Sequence, residues 1–358
     1  MSRSTDPRAE AIVAWYRENA RDLPWRREVS PYRTLVSEIM LQQTRVEAVK
    51  PYFERFLAAL PTIRDLAEVS EERLLKLWQG LGYYSRARNL KKCAEAVLRE
   101  HGGVIPSRVE ELKKLPGIGP YTAGAISAFA YGLDATAVDG NVLRVGARLF
   151  AEPGDILDPK TRALIESRFA EILPRRQASD FGQGLIELGA LVCLPKVEPK
   201  CEICPLAPYC EANAGGLVSS LPYRSPKAKR RIEKKTVLLV RSAETILIRR
   251  RPPKGLLAGL FEPPSLEGEP NESEALAFLR ALGLEPLRIE RGEDAKHIFT
   301  HVEWQMSSYV VSIAEPERKI PEPYLLTTPP ELAERYPLPS AYSAYLSPLT
   351  KPYEENFK

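Results

Sequence analysis

The segment Leu115–Ile126, LPGIGPYTAGAI, decides the fold of the N-terminal half of this chain. It joins two helical stretches, Val109–Lys114 and Tyr121–Tyr131, and its Gly117 and Gly119 allow the backbone to turn tightly. Such a turn exposes successive N–H groups beside a helix N-terminus, where they can bind a phosphate oxygen without a charged side chain. The segment therefore predicts a hairpin that binds a nucleic-acid backbone, although an ordinary helix–turn–helix connection explains these residues equally well.

Outward from this hairpin, the first two hundred residues are predicted to be all helical. Apolar residues recur three or four positions apart, with Pro, Gly or Asp between the runs. The runs are Ala11–Arg21, Val36–Val49, Glu71–Gln79, Ala87–Glu100 and Ala123–Tyr131. Few windows alternate as strands do, so this region is expected to form an all-α domain.

The pattern changes after Cys210. Residues 216–235 contain small residues, then prolines, then a strongly cationic run, as an exposed linker does. The predicted elements that follow are strands at Thr236–Val240 and Thr245–Ile248, paired as a hairpin, a helix at Glu272–Ala281 and a strand at Trp304–Ile313. The fold class is therefore multidomain, α plus α+β, with domains at 1–215 and 236–358, and the Tyr-, Ser- and Pro-rich tail is expected to pack loosely.

Composition limits the class of protein. The chain has 358 residues, 44% hydrophobic and 27% charged, which suits two domains with real cores and excludes a wholly disordered chain. A net charge of +4 permits a nucleic-acid partner without requiring one. No apolar signal core opens the sequence and no stretch approaches the ~20 apolar residues of a membrane span. We therefore expect a soluble, cytoplasmic protein that makes no membrane contact.

Two carboxylates are candidates for catalysis. Glu38 lies in VSEIMLQQT (Val36–Thr44), a helix whose other residues are mostly apolar, and Asp139 precedes Gly140. A lone glutamate on such a helix ordinarily faces solvent, and Asp139 could serve only as a helix N-cap. If Glu38 instead faces an apolar pocket, its pKa rises and it becomes a proton donor near neutral pH. A buried acid with an ionised carboxylate is what cleavage of a glycosidic bond requires.

Four of the five cysteines fall within eighteen residues: Cys193, Cys201, Cys204 and Cys210. A disulfide framework would be more dispersed and would need an oxidising compartment. Four clustered thiolates without histidine are typical of a zinc site or an iron–sulfur cluster. The fifth, Cys93, lies in a helical run and is predicted to be a core thiol.

Taken together, these motifs resemble one family. The helical region resembles the helix-hairpin-helix DNA glycosylases with an iron–sulfur cluster loop, and the chain looks like a MutY-type adenine DNA glycosylase. The resemblance covers almost the whole chain and rests on LPWR (Leu23–Arg26), VSEIMLQQT, LGYYSRARNL (Leu81–Leu90), LPGIGPYTAGAI, VDGNVLRV (Val138–Val145) and the cysteine loop. It implies a hydrolase acting on N-glycosyl bonds in base excision repair.

The resemblance also implies roles for the site residues. Glu38 is expected to protonate the flipped adenine, Asp139 to stabilise the sugar cation, and Asn141 to orient these groups and the attacking water. Tyr121 is expected beside the sugar, where related endonuclease III enzymes have a lysine that forms a Schiff base. Because a phenol cannot form that imine, the sequence predicts base removal by water without an efficient lyase step.

Further residues are implied in DNA binding. Gln43, Thr44, Leu81 and Tyr83 match residues that fill or contact the duplex around the base opposite the adenine. Simple packing under the next helix is the alternative for Tyr83 and its neighbour Tyr84. The nearby Arg86 and Arg88 are candidates for phosphate contacts or for plain solvated charges.

The C-terminal domain resembles the Nudix-like domain with which adenine glycosylases recognise 8-oxoguanine. GLLAGLFEPP (Gly255–Pro264) matches its loop–strand segment, and Phe299, Thr300 and His301 match its lesion-reading Phe-Ser-His loop. NESEALAFLRALGL (Asn271–Leu284) lacks the glutamate pairs with which Nudix hydrolases hold Mg²⁺, so pyrophosphate hydrolysis is not expected. Two departures are Thr300 for the usual Ser and a first cysteine spacing of seven residues for the usual six.

The sequence thus predicts a monofunctional glycosylase that removes adenine opposite 8-oxoguanine or guanine in duplex DNA. The resemblance implies a 4Fe–4S cluster in the loop 193–210, and we expect a monomer that associates with the bacterial nucleoid. Two rivals are a pyrimidine-lesion glycosylase with lyase activity, like endonuclease III, and a catalytically silent, cluster-bearing DNA-binding protein. Tyr121 and the C-terminal domain count against the first rival.

Overall fold

A computed structural model describes residues 6–195, 197–226, 229–316 and 318–345. The chain divides into two compact units. The first contains residues 1–68 and 88–226, and the second contains residues 69–87 and 227–358. The predicted domain boundaries at 215 and 235 stay a prediction; the linker's residues 227 and 228 and the end of the tail, 346–358, lie outside the described residues.

The chain up to residue 226 is helical, and its described part contains no strand, which confirms the all-α prediction. The helices are α1 (Pro7–Asn19), α2 (Pro24–Arg27), α3 (Pro31–Leu41), α4 (Val46–Ala59), α5 (Ile63–Glu68), α6 (Glu71–Leu77), α7 (Ser85–His101), α8 (Val109–Leu112), α9 (Pro120–Ala125, continued by a π-helical turn Ile126–Ala130), α10 (Gly140–Leu149), α11 (Pro159–Glu171), α12 (Ala178–Leu191) and α13 (Glu211–Ala214). Short 3₁₀ turns at Cys201–Ile203 and Ala207–Tyr209 shape the cysteine loop. None of the described helices is long and apolar enough to cross a membrane.

One helix of the sequence prediction is two separate helices in the structure. The single run Val36–Val49 breaks between Leu41, where α3 ends, and Val46, where α4 begins. Gln43 has φ 58°, a left-handed conformation that a right-handed helix cannot continue. The prediction was wrong because apolar spacing continued across the polar stretch QQTR and concealed the turn. The break leaves Gln43 exposed between two helices.

Close approaches in the first unit bring the functional segments together. Gly124 in α9 lies so near the 136–137 backbone that a Cβ would come within 1.8 Å of the Thr136 carbonyl oxygen. Gly189 in α12 similarly leaves room for Asn141, whose Cβ lies 2.7 Å from where a Gly189 Cβ would be. The core between α1, α10, α11 and α12 is closed by fully buried side chains such as Ile12, Phe169 and Leu185. These contacts fix the start of α10 against α12.

The second unit is a mixed sheet, as the α+β prediction requires. Its strands are β1 (Arg231–Arg241), β2 (Ile246–Arg250), β3 (Phe261–Glu262), β4 (Ser265–Glu267), β5 (Pro286–Arg291), β6 (Ala295–Ile298), β7 (Val302–Ile313) and β8 (Tyr324–Thr327), with helices α14 (Glu272–Ala281) and α15 (Pro329–Arg335). The order is β3-β2-β1-β7-β5, with β4 on β1, β6 on β7 and β8 on β2. The long β1 and β7 pair in parallel, and β1 and β2 form the predicted antiparallel hairpin.

Both faces of this sheet are covered. One face packs against α14 and the other against α15 and a 3₁₀ helix at Ser340–Tyr345. Tyr342 and Tyr345 are fully buried in the second core, so the expectation of a loosely packed tail is wrong up to residue 345. Aromatic rings at a spacing of three residues give one face of a short helix enough apolar area to dock.

Candidate active site

Glu38 sits on the inner face of α3. Only 6% of the residue is exposed, and Val36, Ile39 and Met40 beside it are buried. The Tyr121 hydroxyl, half-buried at the start of α9, donates a 2.6 Å hydrogen bond to Glu38 Oε2. Burial raises the pKa of Glu38 from 4.5 to about 7; the Tyr121 hydrogen bond and Arg26 lower it, and the Asp139 carboxylate raises it further. The side chain therefore holds a proton that it can deliver near neutral pH.

Asp139 is the N-cap of α10, as the simplest interpretation of its sequence predicts. Its Oδ1 accepts from the backbone N–H groups of Asn141 and Val142, both at 2.8 Å. Its Oδ2 accepts from Asn141 Nδ2, also at 2.8 Å. Burial raises the pKa of Asp139, against these hydrogen bonds and the Arg144 charge, which lower it. A cap and a fixed carboxylate are compatible functions, since the N–H groups hold the carboxylate in one orientation.

Asn141 is held in turn by α10 and α12. The Arg144 Nη2 donates to Asn141 Oδ1 at 2.9 Å and to the Gly189 carbonyl at 2.7 Å, and its Nε donates to the Cys193 carbonyl at 2.8 Å. The Asn141 amide is therefore oriented with its N–H toward Asp139. Arg144 was not predicted from the sequence, although its position three residues after Asn141 on a helix could have suggested the contact.

A cavity of about 140 Å³ opens beside Glu38. Its lining includes Glu38, Tyr121, Arg21, Arg26, Trp25 and Gln183. Asp139 does not line it, but its charge acts on both Glu38 and Tyr121. Arg26 and Gln183 were missed as site residues, although Arg26 lies within the quoted motif LPWR. The arrangement combines a proton donor, a nearby fixed carboxylate and a cavity lined by both polar and apolar side chains.

The hairpin has the predicted turn. Gly117 adopts φ +77° and is exposed, and its Cβ would lie 2.7 Å from Asn89 Cβ, so both the conformation and the space require glycine. Gly119 precedes Pro120, the first residue of α9, and a Cβ there would meet nothing within 4 Å. Lys113 and Lys114 before the turn are exposed. The turn is therefore open to a DNA phosphate, with two lysines beside it.

The residues assigned to the duplex differ in exposure. Gln43 is exposed and Thr44 half-buried, in the turn between α3 and α4. Tyr83 is 46% exposed, whereas Leu81 is 7% exposed and Tyr84 is buried. Gln43 and Tyr83 also have positive φ, 58° and 46°, which is rare outside glycine and is associated with functional sites. Packing thus accounts for Tyr84, whereas the Tyr83 side chain is exposed on the surface.

Arg86 is neither a solvated charge nor an exposed phosphate ligand, because only 8% of it is exposed. Its Nη2 donates to the carbonyls of Leu81 and Gly82 at 3.0 and 3.2 Å. Its guanidinium lies over the Trp78 ring and the Tyr83 ring, 5.5 and 5.6 Å from their centroids. This burial could not be predicted, because a run of basic residues does not indicate which arginine turns inward.

Within the second unit, the turn after β6 exposes Thr300 and His301, with Phe299 half-buried beneath. Phe299 packs edge-on against Trp304 and His297, with ring centroids 4.8 and 4.6 Å apart. The Thr300 hydroxyl lies 2.7 Å from the Tyr83 hydroxyl. Two residues that the resemblance assigned to the same lesion, from distant parts of the sequence, are therefore in contact.

The four clustered cysteines are free thiols that line one small cavity of about 30 Å³. Arg148 Nη1 lies 3.2 Å from Cys193 Sγ. No group of three or more His, Cys, Asp or Glu side chains among the described residues has the geometry to hold a single metal ion. Cys93 is fully buried, which confirms its prediction as a core thiol.

The helical fold, the glycine hairpin and the buried acid beside a cavity define a class, the helix-hairpin-helix base excision repair enzymes. The model of the HhH-GPD superfamily base excision DNA repair proteins matches residues 36–174, and that of the NUDIX domain matches residues 236–347. A solved thermostable thymine-DNA glycosylase superposes with a TM-score of 0.54 at 28% identity, over 58% of this chain and 97% of that one. The predicted fold class is confirmed.

Relatives narrow the class. The adenine DNA glycosylase of Buchnera aphidicola subsp. Baizongia pistaciae is 34% identical over 297 residues, which cover 82% of each chain. That of Mus musculus is also 34% identical, over 84% of this chain and 70% of its own length. The chain belongs to the adenine DNA glycosylase family, and the resemblance to MutY-type enzymes is confirmed.

Proposed function

We propose that this chain removes adenine mispaired with 8-oxoguanine or guanine in duplex DNA, as a monofunctional glycosylase. Its family membership supports a base excision repair enzyme acting on adenine. The observation that carries the proposal is Glu38, a protonated carboxyl buried beside a cavity and hydrogen-bonded to Tyr121. Because the substrate is chromosomal DNA, we expect the protein to work as a monomer at the bacterial nucleoid in the cytoplasm.

In the proposed mechanism, adenine rotates out of the duplex into the cavity. Glu38 transfers its proton to adenine N7, and the bond between N9 and C1′ of the sugar breaks with both electrons going to the base. The Asp139 carboxylate stabilises the cationic sugar, held in place by the N–H groups of Asn141 and Val142. Water then adds to C1′, losing a proton, and leaves an abasic sugar.

The proposal includes no strand cleavage. A lyase step needs an amine that attacks C1′ and forms an imine. At the corresponding place of the hairpin this chain has Tyr121, whose hydroxyl is already bound to Glu38 and whose pKa is raised well above 10 by burial and the neighbouring carboxylates. The neutral phenol can position the sugar but cannot form the imine.

We propose that the exposed turns bind the duplex. The Gly117–Gly119 hairpin would bind a phosphate through its N–H groups. Gln43 and Thr44 in the turn after α3, and Leu81 and Tyr83 before α7, would contact the duplex around the base opposite the adenine. The positive φ of Gln43 and Tyr83 supports this role, since positive φ outside glycine is associated with functional sites.

The Nudix-like unit would read the base opposite adenine. Thr300 offers the hydroxyl, Phe299 a ring fixed by Trp304, and His301 an exposed imidazole. The Thr300 hydroxyl, which stands where the family commonly has that of serine, lies 2.7 Å from the Tyr83 hydroxyl. Selectivity would therefore depend on this turn as well as on the adenine cavity.

The cysteine loop fits an iron–sulfur cluster. Cys193, Cys201, Cys204 and Cys210 surround one cavity, and thiolates are the ligands that such a cluster uses. Arg148 beside Cys193 supplies a positive charge where thiolates would collect. We propose that these four residues hold one 4Fe–4S cluster, which when bound would serve as a structural crosslink of the loop. The additional residue between Cys193 and Cys201 lengthens a surface loop at little entropic cost.

Single-turnover base release tests the proposal. Purified protein is mixed with duplexes that carry adenine opposite 8-oxoguanine, guanine or thymine, and the product is treated with alkali or left untreated. We expect release opposite 8-oxoguanine and guanine and little opposite thymine, with strand breaks only after alkali. Absence of release from a folded, cluster-loaded preparation would contradict the activity, and breaks without alkali would contradict the monofunctional mechanism.

A further inference from the structure

Glu187 in α12 is a fully buried carboxylate that the proposed reaction does not use. Its exposure is 0%. Its Oε1 accepts from the backbone N–H and the Nε of Arg21, at 3.1 and 2.6 Å. Its Oε2 accepts from Arg21 Nη2 and Arg26 Nη2, both at 3.0 Å. Burial opposes its ionisation, but the two arginines outweigh burial and lower the pKa of Glu187, so it is charged.

This carboxylate fixes Arg26. Besides Glu187, the Arg26 guanidinium binds Gln183 Oε1 through Nε at 3.0 Å and the Arg21 carbonyl through Nη1 at 3.1 Å. It also lies over the Tyr16 ring, 5.4 Å from the centroid. Three of its nitrogens are therefore tied to the protein, and its position in the wall of the Glu38 cavity is set by α12.

The charge of Arg26 works against the role of Glu38 as a proton donor. A cation next to a carboxyl group favours the ionised form, and Arg26 acts on Glu38 in this direction. The other groups that face Glu38 are Tyr121 from α9 and Asp139 from the start of α10. Arg26 is the cation among these. Glu187 is the negative charge that contacts it, and Glu187 also pairs with Arg21, a second cation in the cavity lining.

We propose that Glu187 is a positioning residue: it holds Arg26 in the cavity wall and balances its charge, so that Glu38 keeps the proton it delivers. The proposal rests on the proposed role of Glu38. It assigns to the pair Glu187–Arg26 a function in setting the pH range of the reaction, in addition to joining α2 to α12.

The test compares four full-length variants: Glu187→Gln, Arg26→Gln, the double variant and Asp180→Asn. Asp180 is the matched control, because it also lies on α12 and pairs with an arginine of α1, Arg17, but outside the cavity. Two quantities are measured against pH. One is the infrared carboxyl absorbance of Glu38, assigned by subtraction of Glu38→Gln, which needs no catalysis. The other is the single-turnover rate of adenine release.

Without Glu187, Arg26 and Arg21 both lose their counter-charge, and Glu38 should ionise at lower pH. We expect the infrared midpoint and the alkaline limb of the rate to fall by about half to one pH unit in Glu187→Gln. In the double variant, which keeps Arg21 but lacks the cation that acts on Glu38, both should return toward the parent value. Arg26→Gln alone should raise the infrared midpoint of Glu38 and the pH of the alkaline limb. This variant keeps the test decisive if Glu187→Gln does not fold. Asp180→Asn should leave both at the parent value.

The outcomes separate this proposal from the proposed function. Unmoved midpoints in Glu187→Gln and Arg26→Gln, or an equal loss of rate at every pH without rescue, would overturn the positioning role and leave adenine release intact. If the infrared midpoints shift in the variants as expected but the parent protein releases no adenine, the role of Glu187 is supported and the proposed reaction is overturned.

Discussion

The first unit contains two buried glutamates, and they are in opposite protonation states. Glu38 lies on apolar α3, and a single hydroxyl, that of Tyr121, donates to it. Glu187 lies on α12 and accepts four hydrogen bonds from two arginines. Burial raises the pKa of Glu38 to about 7, whereas the arginines lower that of Glu187 despite its burial. Burial alone therefore does not set the charge of a carboxyl group; the donors within reach decide it.

The difference separates chemistry from structure. A neutral acid in a cavity can give up a proton, and its protonated state is maintained at the expense of stability. A carboxylate that is ionised between two arginines has no proton to donate, and its ion pairs join helices instead.

Replacing Glu38 with Gln removes the proton donor and keeps its shape. We expect adenine release to slow by about 10³-fold or more, since general acid catalysis contributes roughly 10² to 10⁴. Single-turnover rates at saturating enzyme measure the loss, and binding to an uncleavable duplex should remain near the parent affinity. A variant that keeps the parent rate would show that Glu38 is not the acid and would favour the silent DNA-binding alternative.

The same substitution at the two glutamates should change the free energy of unfolding in opposite directions. Folding raises the pKa of Glu38 from 4.5 to about 7, so its contribution to stability is lost as pH rises through about 7. Glu38→Gln should thus gain up to about 3 kcal/mol at pH 8, a gain that fades toward pH 4. Glu187, whose pKa is lowered, stabilises above its ordinary pKa, so Glu187→Gln should lose about 3 kcal/mol at neutral pH.

Thermal unfolding of the two variants and the parent between pH 5 and 8 measures these changes. Asp180→Asn, whose ion pair is partly exposed, should unfold close to the parent throughout. If both glutamine variants were destabilised equally at every pH, the assigned protonation states would be wrong.

Sequence alone predicted one of these glutamates and not the other. Glu38 was a candidate because it lies among apolar residues, where an acid is a proton donor if it faces a pocket, and the resemblance of its motif to a known family selected it over the solvent-facing alternative. Glu187 stands in an equally apolar run, IELGAL, but no recognised motif marked it, and its partners Arg21 and Arg26 lie more than 150 residues away. A long-range ion pair leaves no periodic trace in a single sequence, so the pair could not be predicted, although Arg26 itself lies in the motif LPWR.

The fold was predicted at a similar level. Helices, the hairpin and the β1–β2 pair follow from local spacing, and the structure confirms them. The break at Gln43 and the burial of Tyr342 do not follow from local spacing, because backbone conformation and tertiary packing override the local pattern at these residues. The role expected of Asp139 depended on the family resemblance, since an N-cap explains the residue by itself. The spacing of the cysteines indicated zinc or an iron–sulfur cluster, and the choice between these two depended on the resemblance.

Asp139→Asn tests the second carboxylate without loss of the cap. Asparagine caps helices about as well as aspartate, so the Asn141 and Val142 N–H groups keep an acceptor. The variant should unfold like the parent but release adenine about 10²-fold more slowly, because a neutral amide stabilises the sugar cation poorly. Unfolding and single-turnover measurements are made on the same preparation. A large loss of stability with little loss of rate would leave Asp139 as a cap alone.

Tyr121→Phe should produce the smallest change and the most specific one. The Tyr121 hydroxyl donates to Glu38 and lowers its pKa, so its removal should raise that pKa and move the alkaline limb of the rate to higher pH. At pH 7 the rate should change by less than about tenfold, the scale of one hydrogen bond to a carboxyl group. The shift is opposite to the one expected for Glu187→Gln, so a pH profile distinguishes the two. An alkaline limb at the parent position would mean that Tyr121 acts on the sugar and not through Glu38.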